Sequence, residues 1–151
     1  MTLKIRSFAH GAVFAAACWL AASPTGFAAV GSAESSAEKQ TKLIAVLQSE
    51  APASEKAITC KYLAIYGDKA AVPVLAPLLA NAELASWARI ALEAIPDPSA
   101  DEALRAALGK LEGKLLIGAI NSLGVRRDTQ AVGGLVEKLK AADPDVVAAA
   151  A

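Results

Sequence analysis

Four columns of residues recur along this chain at a shared spacing, and this repetition limits the folds that it can adopt. Asp68, Ala71, Leu75 and Leu79 have counterparts at Asp97, Ala100, Leu104 and Leu108, then at Asp128, Ala131, Leu135 and Leu139. All four columns shift together at each step, and Leu43 and Leu47 extend the leucine columns upstream. Self-similarity with a period of roughly 30 residues predicts stacked units that bury their apolar faces against each other.

The composition favours helices for these units. Hydrophobic residues make up 55% of the 151 residues, whereas aromatic residues make up only 5%. Ala and Leu supply much of the apolar share, and both rank high in helix propensity. We therefore predict an all-α fold over residues 36–151. Its expected form is an α-solenoid of about four antiparallel helix pairs, the last of which is incomplete.

Residues 1–28 have the organisation of a secretory signal peptide. Lys4 and Arg6 provide a positive start, an apolar run from Phe8 to Ala22 follows, and Ala28 closes a small-residue cleavage motif. The run is shorter than the roughly 18 residues expected of a membrane span. We predict cleavage near Ala28, with a site after Ala33 as the alternative, and a flexible lead-in over residues 29–35. The product is then exported to the periplasm or secreted, in a bacterium.

Cys18 allows a second interpretation of this leader. The segment Ala15-Ala16-Ala17-Cys18 resembles a bacterial lipobox, which would make Cys18 a lipid-modified N-terminus. However, the apolar run continues past Cys18, where a lipoprotein is expected to turn polar. A cleaved signal peptide, with Cys18 discarded, is the preferred interpretation, and no membrane span is predicted.

Capping residues predict where the helices begin. Ser35-Ser36-Ala37-Glu38 fits a capping box, and the helix that it opens is expected to reach about Ser49. Asp68, Asp128 and Asp143 are expected N-caps of later helices, and Pro144 suits the first helical position. Other helices are expected to open at Ser54, at Asn81 and at a capping box formed by Ser99-Ala100-Asp101-Glu102.

Helix breakers predict where the helices end or bend. Gly67 is expected to stop a helix by adopting the left-handed conformation, and Gly124 is expected to stop another. Pro73 and Pro77 lie inside an expected helix, where proline removes an amide donor. They predict a kink or a late start near Ala71.

The repeat resembles that of a known family. Gly67-Asp68-Lys69-Ala70-Ala71-Val72-Pro73-Val74-Leu75, continued to Leu79, is similar to the short bacterial HEAT repeat. The related stretch Arg127–Leu135 has Gly where that family usually has Pro, and Asp143–Ala149 resembles the family's entry into a second helix. The resemblance covers residues 36–151 and implies an α-solenoid. The tetratricopeptide repeat is an alternative, but its period is 34 and its Trp, Gly, Tyr and Pro offsets are not found.

Few residues suit catalysis or metal binding. His10 is the only histidine and lies in the leader, and Cys60 is the only later cysteine. We expect Cys60 to be buried. The pair Asp101-Glu102 is expected to offset a helix dipole, since adjacent helical side chains point about 100° apart. We therefore predict that the chain is not an enzyme and has no catalytic, cofactor-binding or metal-binding residue.

Aromatic and basic residues are also assigned structural roles. We expect Trp87 to lie in the core, because its repeat column also contains Gly118 and a bulky core side chain can pack beside a small one. Trp87, Tyr62 and Tyr66 could instead form an aromatic contact surface. Arg126 and Arg127 are expected at a solvated corner. Without Lys4 and Arg6, 13 basic residues face 15 acidic ones, a net charge of about −2. The basic surface of a nucleic-acid binder is therefore not expected.

These observations favour a non-catalytic, exported scaffold for protein–protein interaction. Two alternatives remain: a repeat segment of a larger exported enzyme or cofactor-binding protein, and a lipid-anchored envelope protein. Similar repeats occur fused to catalytic or haem domains and in bilin lyases. The helix that follows Asp143 is expected to cover its predecessor only partly, which suggests that the natural gene continues or that this end self-associates.

Overall fold

Helices joined by short loops make up residues 34–151, the part of the chain that the computed structural model describes. Eight α-helices lie in these residues, and no β-strand is found among them, so the all-α prediction is confirmed for this part of the chain. The helices are α1 (Ser36–Gln48), α2 (Ala53–Tyr66), α3 (Val72–Leu75), α4 (Ala85–Ala94), α5 (Pro98–Ala107), α6 (Gly113–Arg126), α7 (Val132–Lys138) and α8 (Pro144–Ala150). Three 3₁₀ segments accompany them, at Lys69–Ala71, Ala76–Ala80 and Thr129–Ala131.

The predicted signal peptide, with His10 and Cys18, lies outside the described residues. So do residues 29–33 of the predicted lead-in, whereas Ser35 is described and caps α1. Across residues 34–151, every helix is too short or too polar to cross a membrane.

Side-chain caps begin several helices as the sequence predicts. The Ser35 hydroxyl accepts from the Glu38 amide at 3.2 Å, and the Glu38 carboxylate accepts from the Ser35 amide at 2.8 Å, which completes the capping box of α1. These bonds hold the pKa of Glu38 below its ordinary value, the Ser35 amide being the main cause. Asp68, Asp128 and Asp143 each accept from the amide two residues ahead, which confirms them as caps.

Two predicted helix starts are wrong. The cap of α5 is Asp97, whose Oδ1 accepts from the Ser99 amide at 3.0 Å and from the Ser99 hydroxyl at 2.6 Å. Pro98 occupies the first turn, where a missing amide costs nothing, so the helix opens before the predicted capping box. Ser54 lies inside α2, which follows Pro52 without a side-chain cap.

The two glycines also behave differently from the prediction. Gly67 has an extended backbone, with φ −76° and ψ 146°, rather than a left-handed one. Glycine is needed there because a β-carbon would clash with the carbonyl oxygen of Leu63. Gly124 lies within α6, and the helix ends instead at Arg127, which is left-handed with φ 54°. The Asp128 amide donates to the Leu123 carbonyl at 3.1 Å, which is the hydrogen bond of a Schellman motif that spans six residues.

Prolines break up the segment between α2 and α4. A 3₁₀ turn, the four residues of α3 and a second 3₁₀ stretch replace one continuous helix. Pro73 and Pro77 lack the amide that an uninterrupted α-helix requires, which explains the division and confirms the predicted distortion. In the fourth unit, α7 is only seven residues long and ends at Lys138.

The core lies between helices that are separated by one other α-helix in the chain. Helix α2 packs against α4, α4 against α6, and α6 against α8. Each of these helices also contacts the segment that precedes it: α1 packs on α2, the segment 72–80 on α4, α5 on α6, and α7 on α8. These two sets of helix contacts bury most residues of the recurring alanine and leucine columns.

Burial follows the alanine column in all three of its units, and the leucine columns in the two central units. Ala71, Ala100 and Ala131 are 1% exposed or less. Leu75 and Leu104 are fully buried, whereas Leu135 is only partly buried. The expectation that these three leucines are equivalent therefore fails for Leu135.

Candidate interaction surface

Cys60 has no accessible reactive group. Its side chain is fully buried in α2, as predicted, and burial raises the pKa of the thiol to about 11. A protonated, enclosed thiol is neither a nucleophile nor a metal ligand at neutral pH. Within residues 34–151, no group of three or more His, Cys, Asp or Glu side chains is placed to hold a metal ion.

Asp101 is engaged in a structural ion pair. Its Oδ2 accepts from Arg126 Nη2 at 2.9 Å, and its Oδ1 accepts from Arg126 Nε. The hydrogen bonds from Arg126 hold the pKa of Asp101 below its ordinary value. Glu102, the next residue, is exposed to solvent and takes no part in this ion pair, so the two carboxylates do not converge on a common site.

Arg126 is not at a solvated corner, which corrects the prediction. Its side chain is only 10% exposed. It donates to the Ile95 carbonyl at 2.7 Å and to the Leu92 carbonyl at 2.8 Å, with longer bonds to those of Glu93 and Asp97. Carbonyls at the end of a helix lack intrahelical donors, and Arg126 supplies them for α4. Only the neighbouring Arg127 is exposed.

A polar layer joins α4 to α6. Arg89 Nη1 donates to the Gly118 carbonyl at 3.1 Å, and the fully buried Ser122 donates its hydroxyl to Glu93 at 2.6 Å. A β-carbon at Gly118 would lie 2.7 Å from Arg89 Nε, so the glycine leaves room for this guanidinium.

Two further polar contacts join the α1 and α5 helices to later caps. Gln40, which is 7% exposed, donates to Asp68 Oδ1 at 2.8 Å. Arg105 pairs with Asp128. Both contacts fix a capping carboxylate that already binds its own backbone, and they leave no free acid–base pair at either place.

Trp87 is outside the core, contrary to the prediction. Its side chain is 38% exposed, and the space expected opposite it at Gly118 is taken by Arg89. Tyr62 is 48% exposed, whereas Tyr66 is half-buried with Lys39 Nζ lying 4.8 Å from its ring centre. Trp87 and Tyr62 are therefore exposed, as the alternative of an aromatic contact surface requires, whereas Tyr66 is not.

Trp87 belongs to a set of exposed apolar side chains on successive helices. We define the apolar row as Ile65 on α2, Trp87 and Ile90 on α4, and Val125 on α6. Ile65 and Val125 occupy one repeat column, and Trp87 and Ile90 lie one turn apart on the helix between them. The helices that carry these side chains pack in succession, α2 against α4 and α4 against α6.

A groove lies on the other string of helices, between the proline-rich segment and α5. Its volume is about 400 Å³, and its lining is apolar apart from Lys110. Small-molecule sites combine an apolar wall with several convergent polar groups. Pro73, Pro77 and Ala106 line the groove and offer no side-chain donor or acceptor.

No protein-family profile matches the chain, and comparisons with curated proteins and with solved structures gave no match. The candidate site is therefore defined by this chain's own surface. That surface presents an exposed apolar row, while the polar groups described above are occupied in contacts between helices.

Proposed function

We propose that this chain is a non-catalytic scaffold that binds an apolar segment of another protein through the apolar row. The observation that carries the proposal is the exposure of Ile65, Trp87, Ile90 and Val125, which ranges from 38% to 66%. Isolated exposed hydrophobic residues are ordinary, but contiguous ones mark interaction sites.

The scaffold is an α-solenoid of the short HEAT type, with four helix pairs. Two features support it: the recurring columns of the sequence, and the packing of α2, α4, α6 and α8 in succession. In a stack of helix pairs each unit contacts only its neighbours, and equivalent helices form one extended surface.

The partner's chemistry follows from the composition of the row. Trp87 supplies a large ring with few rotatable bonds, which is the residue type enriched at the centres of interfaces. Around it the repeat columns carry Lys61 and Asn121 but no cluster of basic side chains. A protein segment with aliphatic side chains fits this surface, whereas a nucleic-acid backbone does not.

A non-catalytic role agrees with the groups that are available. The chain has no histidine after residue 10, and the thiol of Cys60 is enclosed. Asp101 and Asp128, which are the carboxylates nearest to arginines, are paired with them. Catalysis by this chain would need a group with a suitable pKa and access to substrate.

Selection from a library of random linear peptides tests the binding role. We expect enriched peptides to share aliphatic residues, and their binding to shift the fluorescence of Trp87, the only tryptophan after residue 19. A double variant, Ile90→Ser with Ile65→Ser, should weaken binding about tenfold or more. The matched control is Val132→Ser, an exposed valine on α7 that is away from the row. Failure to enrich apolar peptides, or equal binding by both variants, would contradict the proposal.

The scaffold is proposed to act after export. Support comes from the leader alone: Lys4 and Arg6 precede an apolar run that ends before Ala28. N-terminal sequencing of the product from the envelope and the medium should recover Ala29. Recovery of Met1, or of a lipid-modified Cys18, would refute cleavage at this site.

A further inference from the structure

One column of the second helices faces the preceding unit. In α6 this column contains Gly118 and Ser122, which contact Arg89 and Glu93 of α4. Its counterparts in α4 are Trp87, which is 38% exposed, and Ala91, which is fully buried. In α2, the counterparts are Ile58 and Tyr62, and these are 55% and 48% exposed. Helix α2 therefore presents to solvent the counterpart of the face by which α6 packs on α4.

A second column faces the following unit. Leu108 of this column is 5% exposed and lies against α7, where a β-carbon at Gly134 would be 3.1 Å from Leu108 Cδ1. Leu79, one unit earlier, is 3% exposed. The counterpart that follows α7 is Leu139, which is 42% exposed, and Val136 on the same face is 47% exposed. The α7 segment therefore presents to solvent the face by which earlier units pack on their successors.

We propose that these two faces bind each other between copies of the chain, so that copies associate head to tail. We call them the leading face (Ile58 and Tyr62) and the trailing face (Val136 and Leu139). Each face is expected to bind a second copy of the chain, because equivalent repeat columns already pack against each other within one copy. The same columns pack together at the α4–α6 contact and at the Leu108–α7 contact.

The sizes of the facing side chains are complementary. If copies continue the spacing of the repeat, the bulky Ile58 and Tyr62 meet α8 and the residue after it, where the small side chains include Ala148 and Ala151. Val136 and Leu139 would meet α1 of the next copy. There the repeat columns supply Ala45 and Val46, the counterparts of Ala106 and Ala107. Each bulky pair therefore faces at least one alanine of the adjoining copy.

The geometry has a consequence for the assembly. The leading and trailing faces are different surfaces, so the contact is heterologous. Such contacts produce rings when the rotation closes and open filaments when it does not. A two-fold dimer would instead use one face twice.

An experiment that mixes two variants tests the proposal. Each protein is expressed from the full 151-residue sequence and is used as it is purified. Tyr62→Glu disables the leading face and Leu139→Glu disables the trailing face, because each places an unpaired charge in an apolar contact. In sedimentation velocity we expect wild-type protein to associate progressively with concentration, and each variant alone to be monomeric. An equimolar mixture should form a heterodimer, because Tyr62→Glu retains its trailing face and Leu139→Glu its leading face.

Controls make every outcome decisive. Val125→Glu, at a side chain 65% exposed on neither face, should associate like the wild type. Far-UV circular dichroism identifies any variant that does not fold, and Ile58→Lys and Val136→Lys then replace it. A monomeric wild type, a variant that still self-associates, or a mixture that stays monomeric would overturn head-to-tail association. Self-association retained by only one variant would show a two-fold contact through its intact face.

Discussion

Replacement of Arg126 by Met tests whether a single guanidinium holds the end of α4 in place. The side chain is 10% exposed, donates to carbonyls of α4 and the segment that follows it, and pairs with Asp101. Met keeps most of the apolar volume but removes every donor. The carbonyls and the carboxylate then lose their partner in a site with little access to water.

The magnitude follows from the burial of the ion pair that the substitution removes. Removal of one partner from a buried ion pair costs about 3–5 kcal/mol. Asp101 is 21% exposed, so partial hydration of its carboxylate places the expected loss near the lower end, about 3 kcal/mol. The individual hydrogen bonds are not added to this figure because they depend on the same group.

Chemical denaturation followed by circular dichroism measures this loss as a change in the free energy of unfolding. The control is Arg127→Met, the adjacent exposed arginine, which should change stability by about 0.5 kcal/mol or less. A loss below about 1 kcal/mol for Arg126→Met would refute the reasoning, as would equal losses for both variants.

The pH dependence of stability supplies an independent check on the same pair. Arg126 lowers the pKa of Asp101 in the folded protein, so the pair stabilises the fold above the unfolded pKa of about 4. This stabilisation is lost as the pH falls through the folded pKa. The Arg126→Met variant should therefore lose less stability than the wild type on acidification below about pH 4. Equal acid dependence of the two proteins would contradict the assigned cause of the shift.

Three further perturbations test the core and the backbone. Leu104→Ala, at a fully buried leucine, should cost about 2–5 kcal/mol in denaturation, whereas Leu139→Ala, at a side chain 42% exposed, should cost about 1 kcal/mol or less. Gly67→Ala should destabilise by about 1–3 kcal/mol because its β-carbon meets the Leu63 carbonyl, whereas Gly109→Ala, with nothing within 4 Å, should be neutral or stabilising. Cys60, whose pKa is raised to about 11, should react with a thiol reagent at pH 8 only after unfolding; rapid reaction of the native protein would show that α2 opens.

Local signals predicted the helices well because they act within a few residues. An aspartate before a helix satisfies free amides wherever the rest of the chain goes, and Asp68 and Asp128 do so. Proline removes a donor in every context, so the distortion at Pro73 was predictable. The start of α5 was misplaced because two local solutions competed, and the Asp97-Pro98 pair opens the helix before the serine can.

Contacts between distant residues could not be predicted in this way. Arg126 reaches carbonyls 29 to 34 residues away, and nothing near it in the sequence distinguishes it from the exposed Arg127. Gln40 and Arg105 find their aspartates at separations of 28 and 23 residues, which do not follow the repeat. The repeat columns also misplaced Trp87, because a small residue at Gly118 indicates space without indicating which side chain fills it.

The contact of Arg89 with Gly118 requires the repeat units to follow one another in their present order. At the positions of Arg89 and Glu93, helix α2 carries Cys60 and Ala64. If unequal recombination deleted the unit that contains α4, Cys60 would abut Gly118 and leave a void where the guanidinium lies. Ser122 would also lose its carboxylate partner. Tandem repeats of similar sequence are prone to such exchanges. The shortened protein would lose the polar contacts between α4 and α6 and would therefore fold less stably.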